Sequence, residues 1–315
     1  MRFWIKQLYF ALMLMMTLLR IHPVNSVVGM SGPGIDMALY LIKPFYHFKL
    51  IQLIHGPVGC SRSIGYCLVK ADLIFALESA HPSINAAFIH YFSWKVNTES
   101  ATEFAQFTLS TPRYLFFTNG ISHHHWPTSC TYGEPRLFWS ASLLKWKGLD
   151  TLIDAGKHLA ESTPIPTDIC YIKPERTALS ISQAPVDLPC FTWHQNPRNL
   201  DEVRSQNNIF ASTSQNEPFG LSILEAMAAG MCVLIPRDGA YWDRILTHNV
   251  DCIKYQPNNS KDLFLSIKKL IHSPELIPML GQKAKKVAEN YHAETSYREI
   301  VYAISHPYSR AVRSD

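Results

Sequence analysis

The segment Ser214–Gly230, SQNEPFGLSILEAMAAG, decides how the chain is read. A polar loop carrying Glu217 meets Pro218-Phe219-Gly220 and then runs into helix formers, where Glu225 is the single charge in LSILEAMAAG. Pro218 suits a first helical turn, where a missing donor costs nothing. The N–H groups of Phe219, Gly220 and Leu221 then stand at a helix start, ready for an anion. At 1.5 Å per residue, Glu217 and Glu225 lie roughly 12 Å apart along the axis. That span fits a nucleoside diphosphate sugar, with one carboxylate on sugar hydroxyls and the other on ribose hydroxyls. The competing reading is an ordinary amphipathic helix, because Ile223, Met227 and Gly230 share a face. Against it stands the cost of an unpaired Glu225 in an apolar run.

The pattern continues on both sides. Upstream, LLKWKGLDTLIDAGKHL leads from a strand through Lys147-Gly148 into a helix, and RSQNNIFASTSQNEPFG supplies a strand and loop. Downstream, MCVLIPRDGAYWDRIL gives a further strand and a glycine-bearing loop. Together these segments resemble the retaining glycosyltransferases of family 4, with the E-x7-E motif at Glu217 and Glu225. The similarity covers about residues 136–300. LIHGPVGCSRSIG, KADLIFALES and RYLFFTNGIS resemble the later half of that family's first domain. The resemblance implies two Rossmann-like α/β domains (a GT-B-like fold), the N-terminal one incomplete because the family's opening strand and Gly-rich turn are missing. Either the chain is a shortened member or its start is not the biological one.

The resemblance also assigns roles. Glu217 orients the donor sugar and Glu225 holds the ribose. Lys147, with the N–H groups of Phe219, Gly220 and Leu221, stabilises the departing diphosphate. His55, after the strand IQLI, corresponds to a first-domain histidine near the donor sugar; its generic reading is a strand-end cap. Gly32, Gly34 and Arg62 are acceptor-side candidates. The donor is a nucleotide diphosphate sugar, with no separate cofactor, and the acceptor is a glycan or lipid-linked glycan of surface polysaccharide synthesis.

Departures from the family pattern are visible as well. The family usually pairs its lysine with an arginine five residues earlier, where this chain has Ser142 after Ala141. Lys145 and Arg237 are the available substitutes, and nothing in the sequence separates them. The Ser142 step keeps open a second reading, a non-catalytic nucleotide-sugar-binding remnant. There is no Asp-x-Asp pair, which fits charge neutralisation by protein groups and a metal-independent transferase. His123-His124-His125 reads as a polar turn, since no companion Cys or Asp motif accompanies it.

Composition bounds the rest. A length of 315 residues suits two domains, and 47% apolar with 17% charged residues permits well-formed cores. A formal charge of +4 permits an anionic substrate or peripheral membrane contact, and no basic stripe for nucleic acid is present. Seven cysteines without a CxxC pair read as reduced thiols of a cytoplasmic protein. MRFWIKQ followed by LYFALMLMMTLL mimics a secretory leader, with Val24 and Ser26 as a cleavage site. The apolar run of twelve is short for a span, and LLRIHPVNSVVGMSGPGID reads instead as a helix end, a turn and a strand. Alternating strands and helices predict parallel sheets. The expected division is a first domain over 1–122, a linker over 123–135 rich in turn formers, and a second domain over 136–315. Its terminal helices are expected to pack back on the first domain.

Overall fold

The strand–helix alternation resolves, in a computed structural model describing residues 2–21 and 23–307, into two parallel sheets. The chain divides into unit 1, Met1–Asn119 with Glu294–Asp315, and unit 2, Gly120–Ala293. Unit 1 begins with α1 (Arg2–Ile21), β1 (Ser26–Gly29), α2 (Met37–Ile42) and β2 (Lys49–Ile54). It continues with α3 (Arg62–Lys70), β3 (Leu73–Leu77), α4 (His81–Phe92), α5 (Thr98–Ser110) and β4 (Tyr114–Phe117). Its sheet runs β1-β2-β3-β4, all parallel, with Val28 opposite Ile51 and Phe75 opposite Leu115. The inner strands read as near-continuous apolar runs, as strands covered on both faces must: every residue of β3 is buried.

The exception in β2 is Gln52, which is fully buried and fully occupied. Its Nε2 donates to Gly29 O at 3.0 Å and to Asp36 Oδ2 at 3.0 Å, while Oε1 accepts from Tyr40 Oη at 2.7 Å. Asp36 in turn accepts from Ser31 N at 3.0 Å. This network fixes the Ser31–Ile35 turn, which contains Gly32 and Gly34, over the end of β1.

In α1 the buried stripe is Gln7, Ala11 and Leu18, at helical spacing. Gln7 Nε2 donates to Ile35 O at 3.1 Å, and Gln7 Oε1 accepts from Ala38 N at 2.9 Å, serving an otherwise orphaned first-turn donor of α2. The helix is longer than the apolar run that marks it in the sequence, and Phe3–Ile21 is long and apolar enough to cross a membrane. Gln7→Ala is expected to cost unit 1 about 1–3 kcal/mol, because a buried N–H is left without an acceptor. Thermal unfolding checks this.

Unit 2 contains β5 (Leu137–Ser142), α6 (Leu149–Ser162), β6 (Thr167–Ile172), β7 (Phe191–Gln195), α7 (Leu200–Ser205) and β8 (Ile209–Ala211). It goes on through α8 (Leu221–Ala228), β9 (Cys232–Pro236), α9 (Tyr241–Ile245), β10 (Ile253–Tyr255), α10 (Ser260–His272) and α11 (Leu276–Ala288). The strand order is β10-β9-β8-β5-β6-β7, again all parallel. Leu137, Trp139, Ile169, Ile209 and Leu234 form the sheet side of a core that α6 and α10 close with Leu152, Leu159, Leu263 and Ile267. The chain leaves β5 toward β6 and β7, then returns to β8 on the other side of β5. Neighbouring strands β5 and β8 therefore mark the topological switch point, beyond whose carboxyl ends ligands of open α/β sheets bind.

Two boundaries differ from those expected. The turn-rich stretch 123–135 is packed into unit 2: Cys130 N donates to Ala229 O at 2.7 Å, Tyr132 Oη to Gly230 O at 2.6 Å, and Trp126 stacks on His292 at 4.2 Å. At the other end, α10 and α11 stay with unit 2. Beyond α12 (Ala293–Ser296), α13 (Arg298–Ser305) packs on unit 1, where Ser26 Oγ donates to Ile304 O at 3.1 Å.

Candidate functional site

Lys147 and Glu217 lie on the loops that leave β5 and β8 at the switch point, and their side chains form a direct ion pair with 18% and 14% exposure. The Lys147 ammonium also lies 4.1 Å from the centroid of the Trp146 ring, a favourable cation–π position. The two loops are stitched together. Gln215 N donates to Trp146 O at 2.9 Å, Thr213 Oγ1 to Lys147 O at 2.8 Å, and Trp139 Nε1 to Thr213 Oγ1 at 2.9 Å. Gly148 is what allows this approach. Its φ is +72°, and a Cβ there would sit 2.0 Å from Thr213 O.

Helix α8 starts beside this pair. Gly220, φ +81°, occupies its N-cap position, and no side chain caps the helix. The Leu221 N–H therefore opens the helix free of a side-chain acceptor, as an anion site requires. Phe219, by contrast, is an anchor. Its ring is 3% exposed and packs against Tyr241 and Trp242 at centroid distances of 4.9 and 5.2 Å. Trp242 Nε1 donates to Gly220 O at 3.2 Å, and Asn216 N donates to Asp238 Oδ2 at 2.8 Å. Glu217, Ser214, Asp238 and Trp242 border a hollow of ≈ 10 Å³, about room for one water.

Glu225 sits elsewhere on α8. Its carboxylate accepts from Arg204 Nη2 of α7 at 2.6 Å, and Arg204 Nη1 donates to Asp201 at 2.9 Å. The charge in the apolar run is thus paired, and Glu225 is not among the residues bordering the Glu217 hollow. Burial raises the Glu225 pKa above its ordinary 4.5, against the pull of the Arg204 guanidinium. Arg204, 5% exposed, is a residue that sequence reasoning missed. The only signal is Asp201 at i−3, which reads as a surface pair. Arg204→Met should raise the Glu225 pKa further and cost about 2–4 kcal/mol at neutral pH. A raised acid pKa is a stability loss for the ionised form. The deficit is therefore small while Glu225 is protonated in both proteins and grows as pH rises through the intact protein's Glu225 pKa, which itself lies above 4.5. Denaturant unfolding of both proteins across that range tests the sign.

The remaining candidates belong to unit 1. Gly32, Gly34 and His55 line a cleft of ≈ 520 Å³ at the carboxyl ends of β1 and β2, with Met30, Pro33 and Ile64 among its walls. His55 stands edge-on to Phe117 at 5.4 Å, and burial lowers its pKa, opposed by a hydrogen bond with Asn119. Arg62 is not part of this lining: its guanidinium lies 5.2 Å from the Trp94 ring centroid, at the end of α4. Of the cations offered in place of the family's arginine, Lys145 is engaged with Asp150 at 3.0 Å, whereas Arg237 is exposed. His123, in the triple-histidine turn, stacks on His292 at 4.3 Å.

Two parallel-sheet α/β units, with the loops of Lys147 and Glu217 at the switch point of the second, have the architecture of the GT-B glycosyltransferase fold. Solved structures agree. The chain superposes on a glycosyltransferase from Rickettsia africae with a TM-score of 0.67 at 14% identity, covering 96% of this chain and 81% of that one. It superposes on Anabaena Alr3699/HepE in complex with UDP with a TM-score of 0.66 at 15% identity, covering 94% and 81%. The family model for glycosyl transferases group 1 matches residues 130–287, and the chain belongs to that family. A curated relative, the sulfoquinovosyl transferase SQD2 of Arabidopsis thaliana, is 26% identical over 103 residues. That match covers 32% of this chain and a fifth (20%) of the length of SQD2.

Proposed function

We propose that the protein transfers a glycosyl group from a nucleoside diphosphate sugar to a glycan or lipid-linked acceptor, with retention of configuration and without a metal. The observation that carries this reading is the Lys147–Glu217 pair set beside the uncapped N-terminus of α8. Loss of the sugar leaves one further negative charge on the diphosphate, at its terminal phosphate. Lys147 and the N–H groups of Gly220 and Leu221 oppose that charge as it develops, which is where stabilisation accelerates transfer. As the ammonium turns to phosphate, the Glu217 oxygens become acceptors for sugar hydroxyls. Glu225 takes the ribose hydroxyls in competition with Arg204. The acceptor attacks the face that the diphosphate leaves, so no enzymic nucleophile is required. His55, whose pKa burial lowers, is assigned to the donor sugar on the family resemblance.

The solved neighbour complexes contain UDP in one case and UDP-glucose in another, which supports a nucleotide-sugar donor here. A second reading, a binding remnant without turnover, is favoured by Ser142 at the position of the family's arginine. Calorimetry and a transfer assay with uridine, guanosine and adenosine diphosphate sugars separate the two. Glu225→Ala is expected to weaken donor binding about 10- to 150-fold, the equivalent of one charge-assisted hydrogen bond. Glu217→Ala is expected chiefly to reduce transfer. Tight binding without turnover in the unaltered protein would select the second reading.

A further inference from the structure

The connection from β6 to β7 doubles back on the loop that carries Lys147. Ile181 forms an antiparallel bridge with Leu144. Ser182 N donates to Leu143 O at 2.7 Å, and Lys145 N donates to Ser180 O at 2.8 Å. Ser182 is 2% exposed, although Ser180 and Ile181 beside it are exposed. Its hydroxyl donates to Asp150 Oδ2 at 2.7 Å, and Lys145 Nζ meets the same oxygen at 3.0 Å. Asp150 stands in the first turn of α6, just past Lys147. Burial works to raise its pKa, but the Ser182 hydroxyl and the Lys145 ammonium outweigh burial and hold it below the ordinary 3.8. The carboxylate is therefore ionised at neutral pH. One acceptor oxygen thus joins the Lys145 side chain, the start of α6 and the β6–β7 connection.

We infer that Asp150 and Ser182 are positioning residues for Lys147, holding the Lys145–Lys147 turn so that the Lys147 ammonium stays on Glu217 beside the start of α8. Their effect on transfer rests on the transferase reading above. The turn itself is one short 3-10 turn, closed by Lys147 N to Leu144 O at 2.8 Å and Gly148 N to Lys145 O at 3.0 Å. A turn that short does not hold its shape alone. The β8 loop fastens its later residues, Trp146 and Lys147, through Gln215 and Thr213. The Ser180–Ser182 strap and Asp150 fasten its entry, at Leu143 and Lys145. The two bonds to Asp150 are unequal. Lys145 and Asp150 are 58% and 43% exposed, and a surface ion pair contributes little. The Ser182 hydroxyl is buried, so loss of its acceptor leaves an unpaired donor under the turn. Asp150 also keeps Lys145 engaged, which leaves Lys147 as the cation on Glu217.

NMR of the full chain with isotope-labelled lysine reads the positioning and needs no donor or turnover. The Lys147 ammonium lies 4.1 Å from the Trp146 ring centroid, so the adjacent Cε protons should resonate upfield of those of exposed lysines. Lys147→Met identifies that signal by removing it. In Asp150→Ala and in Ser182→Ala the signal should move to the position of the exposed lysines. In Asp150→Asn, which still accepts from Ser182 Oγ, it should stay. In transfer assays with uridine, guanosine and adenosine diphosphate sugars, Asp150→Ala should lower kcat about 10- to 100-fold, with the donor KM nearly unchanged. In the Lys147→Met background the same substitution should cost less than about threefold, because the group it positions is gone. Three results overturn the proposal: a lysine signal unmoved in both alanine variants, equal losses of kcat in the two backgrounds, or Asp150→Asn as impaired as Asp150→Ala. Lysine signals that respond as stated in a chain without transfer activity would count against the transferase reading and leave the positioning intact.

Discussion

Lys147→Met is expected to lower the transfer rate by about two to three orders of magnitude while leaving the fold in place. The lysine is one charge of a largely buried pair, and its ammonium is the cation closest to Glu217 at the α8 terminus. Methionine keeps the stem against Trp146 but removes the charge that meets the leaving diphosphate. The change leaves Glu217 partly buried without its partner, so a fair comparison includes Lys147→Met/Glu217→Gln. If the pair were only structural, the double variant would recover what the single variant loses. On the present account it recovers stability and not transfer, since neither the diphosphate cation nor the sugar-orienting carboxylate returns. Single-turnover rates alongside melting midpoints separate these outcomes.

Gly148→Ala is expected to cost unit 2 about 2–5 kcal/mol and to abolish donor binding. Two independent penalties meet at this residue. An αL backbone disfavours any Cβ by about 1–2 kcal/mol, and overpacking a rigid contact adds about 1–3 kcal/mol. The contact here is the carbonyl of Thr213, 2.0 Å from the added carbon. Backbone cannot rotate away as a side chain can. Relief requires the β5 and β8 loops to part, breaking the Thr213–Lys147 and Gln215–Trp146 hydrogen bonds and drawing Lys147 off Glu217. A calorimetric titration with donor and a denaturant melt read the two effects. A variant that melts normally and still binds would remove Gly148 from the account.

The sequence made the strands and the site loop legible where chemistry is local. LIFAL and CVLIP are apolar enough to be buried strands anywhere, and Pro-Phe-Gly before a helical run marks the α8 start. What it could not show were contacts made across the chain. Glu225 in an apolar run looked like a charge waiting for a ligand; Arg204, brought beside it by the β8 crossover, is its partner in the folded chain. The stretch 123–135 has the composition of a linker because turn formers report local backbone shape. Trp126, Cys130 and Tyr132 fasten it to unit 2 through partners more than ninety residues away. Residues 81–110 carried no assignment, and α4 explains why. Its sequence HPSINAAFIHYF is apolar or small on most sides, so it lacks a sharp helical stripe. The α5 start was readable in principle, since Asn97 accepts from Ser100 N as an N-cap at 2.9 Å.

The central claim is that the diphosphate of a sugar nucleotide lies against the start of α8 under Lys147. Backbone amide NMR during titration with nucleoside diphosphate sugars tests it at the atoms concerned. Saturable shifts of the Gly220 and Leu221 N–H signals are predicted, and these should vanish in Lys147→Met. Saturable binding that leaves both signals in place, or no binding of any of the three donors by the intact chain, would contradict it.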